Sequence, residues 1–496
     1  MTDVPSHRWA PLEDLPIDWS LLASPELRGL SGIWTEQKVW LTGTAAMQGF
    51  TDRLHRQWAI ETGIIERIYT LDRGVTELLI ERGIDASLIP DDATDQDPEA
   101  VVRIVRDQES AVDWLFDVVR GGRALSLSFV KELHALMTRH QLTTAGRDQL
   151  GREVEIPLLQ GDWKVHPNNP TRPDGSIHEY SPPEQVASEM ERLLQLHEEH
   201  ERHGVPPEVE AAWLHHRFTQ VHPFQDGNGR IARALASLVF IKAGWFPLVV
   251  TRDDRGRYLD ALEAADNGDL APLVSLFASL ERKAFLTALS VAREVLDEAL
   301  EESEPFDELI ASVRDMYAIK DEAVRLDWER VKDLAERLAL LGSDRLQSVA
   351  DRLTDELGSF SSTFRFVVDA EPDGGDRSNW YRSQTNEAAR VLGLSANNRE
   401  YSAWVHLGLH TDTRADVLLA FTAIGPDVRG LIGAAVIFFR RAQVEEAGEQ
   451  VVDVAAASDE LFQINYKEDE SSVVDRFGSW IDRGVVRALE MWRQGL

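Results

Sequence analysis

The sequence predicts a mainly α-helical fold with a β-hairpin flap, followed by a C-terminal antiparallel α+β domain. Apolar residues recur with helical spacing through most of the first 358 residues. Between Gly151 and Pro183 the sequence changes to EVEIPLL and GDWKV, followed by HPNNPTRPDGSIHEYSPP. Pro, Asn and Gly separate these short β-capable pieces, which predicts a hairpin-like flap. After Gly358 the chain changes to short apolar runs separated by turn residues, which is typical of antiparallel strands. With 496 residues, the chain exceeds what one hydrophobic core usually organises, so we expect two or more domains.

The charge balance is strongly acidic, since 85 Asp and Glu against 52 Lys and Arg give a formal net charge of −33. Such a surface repels nucleic acid and anionic lipid, so we expect neither nucleic acid nor a membrane as a partner. The chain contains no cysteine, which excludes disulfides, thiolate metal sites and cysteine nucleophiles, and fits a reducing compartment. The sequence shows no secretory signal, and no uninterrupted apolar run reaches the roughly 18 residues of a spanning helix. A cytoplasmic location is therefore the expectation.

The helical pattern is expected in three stretches. The first runs from about 44 to 138. The second consists of the segments 182–200, 206–222, 230–245 and 256–269, and it starts at a proline pair in a position that helix starts tolerate. From about 272 to 358 we expect further long helices, with breaks near Pro305 and Gly342.

Strands dominate the last part of the chain, and a helix closes it. The predicted strand segments are STFRFVVD, REYSAWVHLGLHT, ADVLLAFTAI, GLIGAAVIFF and ELFQINY. The closing helix carries one apolar stripe, formed by Phe477, Ile481, Val485, Leu489 and Trp492. We therefore predict an antiparallel sheet that is covered by at least one helix.

One short segment carries most of the chemical information. It reads His222-Pro223-Phe224-Gln225-Asp226-Gly227-Asn228-Gly229-Arg230 and continues with Ile231-Ala232-Arg233. The segment lies between two helical patterns, so we expect a tight loop that opens into a helix starting near Arg230. Gly227 and Gly229 permit close backbone approach, so that N–H groups and the positive end of the helix dipole can face phosphate oxygens. This is an anion-binding arrangement.

The other polar side chains of the segment suit a reaction on phosphate. Asp226 offers a hard carboxylate oxygen, which suits Mg²⁺. Arg230 and Arg233 are three residues apart on one helix face, where they can clamp distal phosphates. His222 is the group whose ordinary pKa suits proton abstraction near neutral pH. The segment thus combines a base, a metal ligand, an anion cradle and cationic clamps.

Four histidines outside this segment are expected to pack in the core or lie at the surface rather than bind a ligand. They are His166, His178, His215 and His216. The sequence offers no second carboxylate at metal-ligand spacing, so a transition-metal site has little support.

The segment resembles the motif HxFx(D/E)GNGRxxR of Fic (Fido) domain proteins, and every fixed position of that motif is present. The resemblance covers roughly 125–280, because the flanking AAWLHHRFTQ, GDWKVHPNNPTRPDGSIHEYSPPEQV and GRYLDALEAADNGDLAPLVSLF also resemble the family's pre-motif helix, flap and trailing helices. It implies a Fic-type catalytic core at 125–285, preceded by an N-terminal helical region at 1–124. A helical extension at 286–358 and an α+β domain of unknown role at 359–496 would complete the chain.

The resemblance implies transfer of AMP from ATP to a Tyr, Thr or Ser hydroxyl of a target protein. In that role, His222 would deprotonate the hydroxyl, and Asp226 would hold the Mg²⁺ that bridges the α- and β-phosphates. Asn228, together with the backbone of Gly227 and Gly229, would hold the α-phosphate.

The two arginines would bind the outer phosphates. Arg230 would contact β- and γ-phosphate oxygens, and Arg233 would contact the γ-phosphate. The kinase-like branch of the family has Lys in place of the second Gly of GNGR and lacks the distal Arg, so Gly229 and Arg233 favour nucleotidyl transfer over phosphoryl transfer. The protein substrate would dock on the flap around 164–180 by main-chain pairing.

Several alternatives stay open. The same site removes AMP in some relatives, and the Fic-like core could instead be a nucleotide-gated switch for a binding module in the C-terminal domain. For flap residues such as Ile177 or Tyr180, an ordinary hairpin is an equal alternative to a docking strand. The sequence leaves open the nucleotide base, the identity of the target and whether the chain forms a homo-oligomer.

Many members of this family carry an inhibitory helix with the pattern (S/T)xxxE(G/N), whose Glu pairs with the second Arg of the motif. Thr62 and Glu66 match that pattern in the segment TGIIER, and Arg67 departs from it. We therefore predict a Glu66–Arg233 pair that blocks productive placement of the γ-phosphate. Glu61 is the alternative, because it interrupts an apolar helix stripe, although its surroundings depart from the pattern at two positions. A solvated glutamate without a regulatory role is the remaining alternative.

Overall fold

The computed structural model describes residues 8–41, 44–147, 153–171, 175–301, 307–361, 363–371, 386, 396–411, 413–424, 431–444, 448–458 and 460–495. The helices are α1 Pro25–Leu41, α2 Ala45–Ile65, α3 Arg73–Arg82, α4 Pro98–Arg120, α5 Leu127–Met137, α6 Val186–His203, α7 Pro207–Val221, α8 Asn228–Lys242, α9 Arg255–Asp266, α10 Ala271–Glu301, α11 Asp307–Leu357 and α12 Glu470–Gln494. The strands are β1 Thr143–Arg147, β2 Glu153–Pro157, β3 Arg365–Glu371, β4 Ala396–His410, β5 Arg414–Ile424, β6 Leu431–Val444, β7 Gly448–Ala456 and β8 Phe462–Asn465.

The chain divides into two compact units. The first consists of Met1–Leu27 and Gln48–Ala284, and the second of Arg28–Met47 and Phe285–Leu496. The finer boundaries expected from the sequence stay predictions. Among the described residues, no helix combines the length and the apolar character needed to cross a membrane.

The first unit is helical, and the 222–227 loop connects two of its helices, α7 and α8. Helices α7 and α8 pack on each other, while α4 and α5 pack against α8 and α6 packs against α7. Helix α8 is buried along most of its length, from Asn228 to Ile241, so its sequence is apolar on almost every side. The 222–227 loop between α7 and α8 is thereby placed where two buried helix ends meet.

Local sequence explains where the helices around this loop begin. The Asp97 side chain caps α4 by accepting a hydrogen bond from the N–H of Ala100, and the Ser126 side chain caps α5 by accepting one from the N–H of Phe129. Helix α7 begins at Pro207, a position where the missing N–H costs nothing. The mainly helical character predicted for this part of the chain is confirmed.

The described β-hairpin begins earlier in the chain than the predicted flap. Strand β1 pairs antiparallel with β2, and EVEIP is the only predicted β-capable piece of this region that forms a strand among the described residues. The GDWKV piece is not a strand, because it hydrogen-bonds to the 222–227 loop instead. Within 164–180, the described residues contain an isolated bridge between Thr171 and Ile177.

Helix α2 ends at Ile65, although the helical pattern of the sequence continues beyond it. Arg67 has a φ of 55°, and this left-handed residue ends the helix, with the N–H of Ile68 bonded to the carbonyl of Gly63 at 3.1 Å. The fully buried ring of Tyr69 then packs against Gly63, where a Cβ would collide with it. The predicted inhibitory glutamate therefore lies directly after the last residue of the helix.

The second unit contains an antiparallel sheet in the order β3-β4-β5-β6-β7, and β8 pairs with the other end of β6. Helices α11 and α12 pack on the sheet, with Phe421, Phe462, Phe477 and Trp480 in the core between them. The five predicted strands and the closing helix are confirmed. Strand β7 is not predicted from the sequence, because the polar residues next to its valines interrupt the apolar run that would indicate a strand.

The predicted break at Gly342 is wrong, because α11 continues through it to Leu357. Gly342 allows close approach of the helix to the sheet instead, since a Cβ there would collide with the side chain of Leu419. The break predicted near Pro305 lies outside the described residues.

Candidate active site

His222 ends α7 in an uncommon backbone conformation, with a φ of 50°. Its N–H donates to the carbonyl of Phe218 at 2.9 Å, and its ring Nδ1 lies 3.1 Å from the carbonyl oxygen of Thr219. Because a carbonyl can only accept, Nδ1 carries the ring proton and Nε2 keeps its lone pair. The nitrogen that can accept a proton is therefore Nε2.

The surroundings of His222 keep its imidazole neutral. Desolvation is the main cause that lowers the pKa of His222 to about 3, and the charge of Lys164 acts in the same direction. Lys164 is itself only 3% exposed, and its burial lowers the pKa of Lys164 to about 7. A neutral imidazole throughout the physiological pH range is the form that a general base requires.

Asn228 closes the loop that follows His222. Its side-chain oxygen accepts from the N–H of Phe224 at 2.8 Å, and its side-chain nitrogen donates to the carbonyl of Phe224 at 2.8 Å. Helix α8 begins at Asn228, two residues before the predicted start at Arg230, and Gly227 precedes it with a φ of 81°. The side-chain amide of Asn228 is buried and already makes these two hydrogen bonds, so its contact with an α-phosphate stays a prediction.

His134 and Asn168 contact the same loop from neighbouring segments, and neither residue is predicted from the sequence. The N–H of Gly161 donates to Nδ1 of His134 at 2.8 Å, so Nε2 of His134 is the donor to the carbonyl of Asp226 at 3.0 Å. Burial lowers the pKa of His134 to about 4, which keeps this tautomer neutral. Asn168 donates to the carbonyl of Phe224 at 2.8 Å. No motif position signals either residue, because both act through contacts that are distant in sequence.

The carboxylate of Asp226 is fixed by three donors. Oδ1 accepts from the N–H of Gly227 at 2.5 Å, and Oδ2 accepts from Gln141 at 2.7 Å and from Thr144 at 2.9 Å. Burial alone would raise the pKa of Asp226, but the charge of Arg230 and these hydrogen bonds outweigh it and lower the pKa. The carboxylate is therefore ionised. Among the described residues, no group of three or more His, Asp or Glu side chains could hold a metal ion.

Arg230 and Arg233 are both buried, each with 1% exposure. Arg230 donates to the side-chain oxygen of Gln141 and, at 3.4 Å, to the carbonyl of Met137. The Nε of each arginine is buried and has no hydrogen-bond partner among the described residues. Buried guanidinium groups with unused donors at the start of a helix suit an anionic ligand.

Glu66 pairs with Arg233, and its carboxylate lies at the start of α8. Oε1 of Glu66 accepts from Nη1 of Arg233 at 2.7 Å, while Nη2 of Arg233 donates to the carbonyl of Thr62 at 3.2 Å. A Cβ added at Gly229 would overlap the Glu66 carboxylate, so this carboxylate faces the positive end of the α8 dipole. Burial alone would lower the pKa of Arg233, but the charge of Glu66 outweighs it and raises the pKa.

Glu61 faces a different arginine. It accepts from the backbone N–H of Arg252 at 2.8 Å and from Nε of Arg252 at 3.3 Å, and the same guanidinium donates to the carbonyl of Leu71 at 2.7 Å. Burial raises the pKa of Glu61, against the lowering effect of Arg252. Of the two predicted glutamates, Glu66 is thus the one paired with Arg233, and its regulatory role stays a prediction.

Three of the four other histidines considered from the sequence have polar partners in the structure. His215 is fully buried, and its Nε2 lies 2.8 Å from the hydroxyl of Tyr258, which also accepts a bond of 3.5 Å from the second motif arginine. His216 and His178 both face Asp266, at 3.0 Å and 3.9 Å. Tyr258 was not singled out from the sequence, since nothing near it resembles a motif of its own.

Comparison with known proteins bears on the segment that contains this site. The sequence profile of the Fic/DOC family matches residues 124–240, which include α5, α6, α7 and the loop that leads into α8. Residues 124–240 form a Fic domain. The family resemblance inferred from the motif is confirmed, and the Fic domain contains His222, Asp226 and both motif arginines.

Curated relatives match a short part of the chain. The protein adenylyltransferase Fic of Aedes aegypti is 38% identical over 68 residues, which is 14% of this chain and 14% of that protein. The protein adenylyltransferase fic-1 of Caenorhabditis elegans is 33% identical over 96 residues, 19% of each chain. The matches therefore span less than a fifth of these relatives.

A solved Fic domain containing signaling protein from Bacteroides thetaiotaomicron is 21% identical, with a TM-score of 0.44. The comparison covers 54% of this chain and 97% of that one.

Proposed function

We propose that this protein is a protein adenylyltransferase, which transfers AMP from Mg-ATP to a Tyr, Thr or Ser hydroxyl of a protein substrate. The observation that carries the proposal is the position of His222, whose Nε2 can accept a proton, at the beginning of the loop that leads into a helix start with two buried arginines. The curated relatives that match part of the chain are named protein adenylyltransferases, which supports this reaction class.

In the proposed reaction, Nε2 of His222 takes the proton of the target hydroxyl while the hydroxyl oxygen attacks the α-phosphorus of ATP. The new bond joins that oxygen to the α-phosphorus, and the bond from the α-phosphorus to the oxygen bridging to the β-phosphate breaks. AMP stays on the target, and pyrophosphate leaves with the bond's electron pair. His222 then returns its proton to solvent, which its low pKa favours.

Arg230, Arg233 and the first N–H groups of α8 would bind the phosphates. The unused Nε donors of the two arginines support such a role, and so does the Glu66 carboxylate, which is an anion lying against Gly229 at the start of α8. Holding the phosphates this way aligns the α-phosphorus with the base and counters the charge that develops on pyrophosphate.

Asp226 would hold Mg²⁺, whose usual protein ligands are one or two carboxylates, with phosphate oxygens and water in the other positions. The residue fits this ion, because its lowered pKa keeps it ionised and its three hydrogen bonds leave room on a carboxylate for a further bond. When bound, Mg²⁺ would neutralise phosphate charge.

Glu66 would inhibit the enzyme by competing with the outer phosphates. Its carboxylate takes the donor of Arg233 and the space over Gly229, so a nucleotide can place its γ-phosphate there only after Glu66 moves. The side chain of Glu66 is 30% exposed, and it follows the end of a helix, so it can leave without disturbing a core.

The protein substrate would dock beside the loop, along the 164–180 segment. Val165 and Ile177 are apolar residues of this segment with 60% and 50% exposure, which suits contact with a polypeptide near the target hydroxyl.

The proposal is tested by following label on protein after incubation with α-labelled or γ-labelled ATP and Mg²⁺. We expect α-label on Glu66→Gly protein, less on the wild type, and none on a Glu66→Gly, His222→Ala double variant. Transfer of the γ-label without the α-label would overturn nucleotidyl transfer in favour of a kinase.

A further inference from the structure

The ring of Tyr180 lies flat on the imidazole of His222. The two ring centroids are 3.7 Å apart and the ring planes differ by 2°. Aromatic pairs prefer offset or edge-to-face arrangements to a face-to-face stack, so the anchoring of Tyr180 decides whether the stack is incidental.

The backbone of Tyr180 is anchored on both sides. Its own N–H donates to the side-chain oxygen of Asn169 at 3.0 Å, and the N–H of the next residue, Ser181, donates to the carbonyl of Gln220 near the end of α7 at 3.3 Å. Because Gln220 is two residues before His222, the same helix end carries both the imidazole and the anchor of the ring that covers it.

Lys164, at the other end of the 164–180 segment, contacts both the loop after His222 and the ring of Tyr180. The N–H of Lys164 donates to the carbonyl of Pro223 at 2.8 Å, and its ammonium donates to Asn168 at 3.0 Å and lies 5.8 Å from the Tyr180 ring centroid. The cation therefore adds a favourable contact to the ring. Both ends of the segment are thus tied to the residues around His222.

The hydrogen bonds of His222 leave one motion open that the stack can restrict. The bond from Nδ1 to the carbonyl of Thr219 fixes the tautomer and one edge of the imidazole. An imidazole held at one edge can still tilt, and this tilt would move Nε2 away from an incoming hydroxyl. A flat aromatic ring at 3.7 Å blocks the tilt on one side.

We propose that Tyr180 is a positioning residue for His222: its ring sets the plane of the imidazole, so that Nε2 is held in the direction of the target hydroxyl. The rate effect of this role rests on the proposed adenylyltransferase function, whereas the stack itself does not.

The stack is tested by NMR of full-length protein labelled at histidine, with the His222 signals assigned by their loss in His222→Asn. The ring current of Tyr180 shifts the His222 ring protons upfield. We expect Tyr180→Leu to remove this shift and Tyr180→Phe to keep it. Unchanged His222 signals in a folded Tyr180→Leu protein would overturn the proposal.

The positioning role is tested by kinetics in the Glu66→Gly background. We expect Tyr180→Leu to lower kcat about tenfold to a hundredfold, with the KM for ATP nearly unchanged, since a misplaced catalytic group costs about that much. Tyr180→Phe should restore most of kcat, because it keeps the ring. A lost NMR shift with unchanged kcat would overturn the positioning role.

The failure of the proposed function would look different. In that case α-label would not appear on any variant, while the NMR shift would still depend on the ring at position 180. This outcome would overturn the positioning role for an adenylyl transfer and leave the stack as a packing contact.

Discussion

Oε1 of Glu66 lies 2.7 Å from Nη1 of Arg233, and the same carboxylate covers Gly229 at the start of α8. A helix start and a buried guanidinium together attract an anion. In this structure the anion is a side chain of the protein itself. The pair thereby couples the end of α2 to the loop that would bind phosphate, and it can be broken without altering that loop.

We expect Glu66→Gly to increase AMP transfer. A charge-assisted hydrogen bond contributes about 1.5–3 kcal/mol, so releasing Arg233 corresponds to roughly a tenfold to hundredfold gain in activity or in ATP affinity. The measurement is α-label on protein together with calorimetric binding of Mg-ATP. An unchanged rate in Glu66→Gly, alongside a strong increase in Glu61→Gly, would move the inhibitory role to Glu61.

Glu61→Gln is the matched control, and we expect it to affect stability rather than activity. Glu61 and Arg252 are 7% and 19% exposed at their side chains, so loss of the carboxylate charge leaves a mostly buried guanidinium without its counter-charge. We expect a loss of about 2 kcal/mol in the free energy of unfolding, measured by urea denaturation. A large gain of label in this variant, with stability unchanged, would contradict the assignment.

The sequence was informative where the chemistry is contiguous. A single stretch of twelve residues carries the base, the carboxylate and the two arginines, so both its anion-binding character and its family resemblance could be inferred from it. The choice between Glu61 and Glu66 could not be made with the same weight. That choice depends on where α2 ends. The left-handed Arg67 ends the helix, although the helical pattern of the sequence continues beyond it.

The parts that could not be predicted depend on contacts between distant residues. His134 reaches the loop from 92 positions away, and Gln141 from 85 positions away. Gly342 illustrates a different limit, because a glycine in a helical pattern can mean a break or a close approach to a neighbouring layer. Only the position of Leu419 distinguishes the two.

We expect Arg67→Gly to stabilise the protein. Arg67 is exposed and has a φ of 55°, a left-handed conformation that costs a side-chain-bearing residue about 1–2 kcal/mol and glycine almost nothing. The greater freedom of glycine in the unfolded chain offsets part of this, so the net gain should be about 0.5–1 kcal/mol. Urea denaturation measures the gain. Arg67→Ala, which keeps the Cβ, is the control and should not show it.

We expect the charge of Lys164 to be one reason why His222 stays neutral. Desolvation and Lys164 together lower the pKa of His222 to about 3, so the folded protein should show neutral His222 from pH 8 down to pH 5, roughly two units above that pKa. In Lys164→Met the nearby positive charge is gone, so the imidazolium is less disfavoured and the pKa of His222 should rise. The measurement is a pH titration of the ring nitrogen shifts, with the urea-unfolded chain, which should titrate near pH 6.5, as the control. If His222 in the folded wild type gains its proton near pH 6.5, the buried environment described for it is wrong. In that case, protonation of His222 should also cause a proportional loss of AMP transfer below pH 6.5.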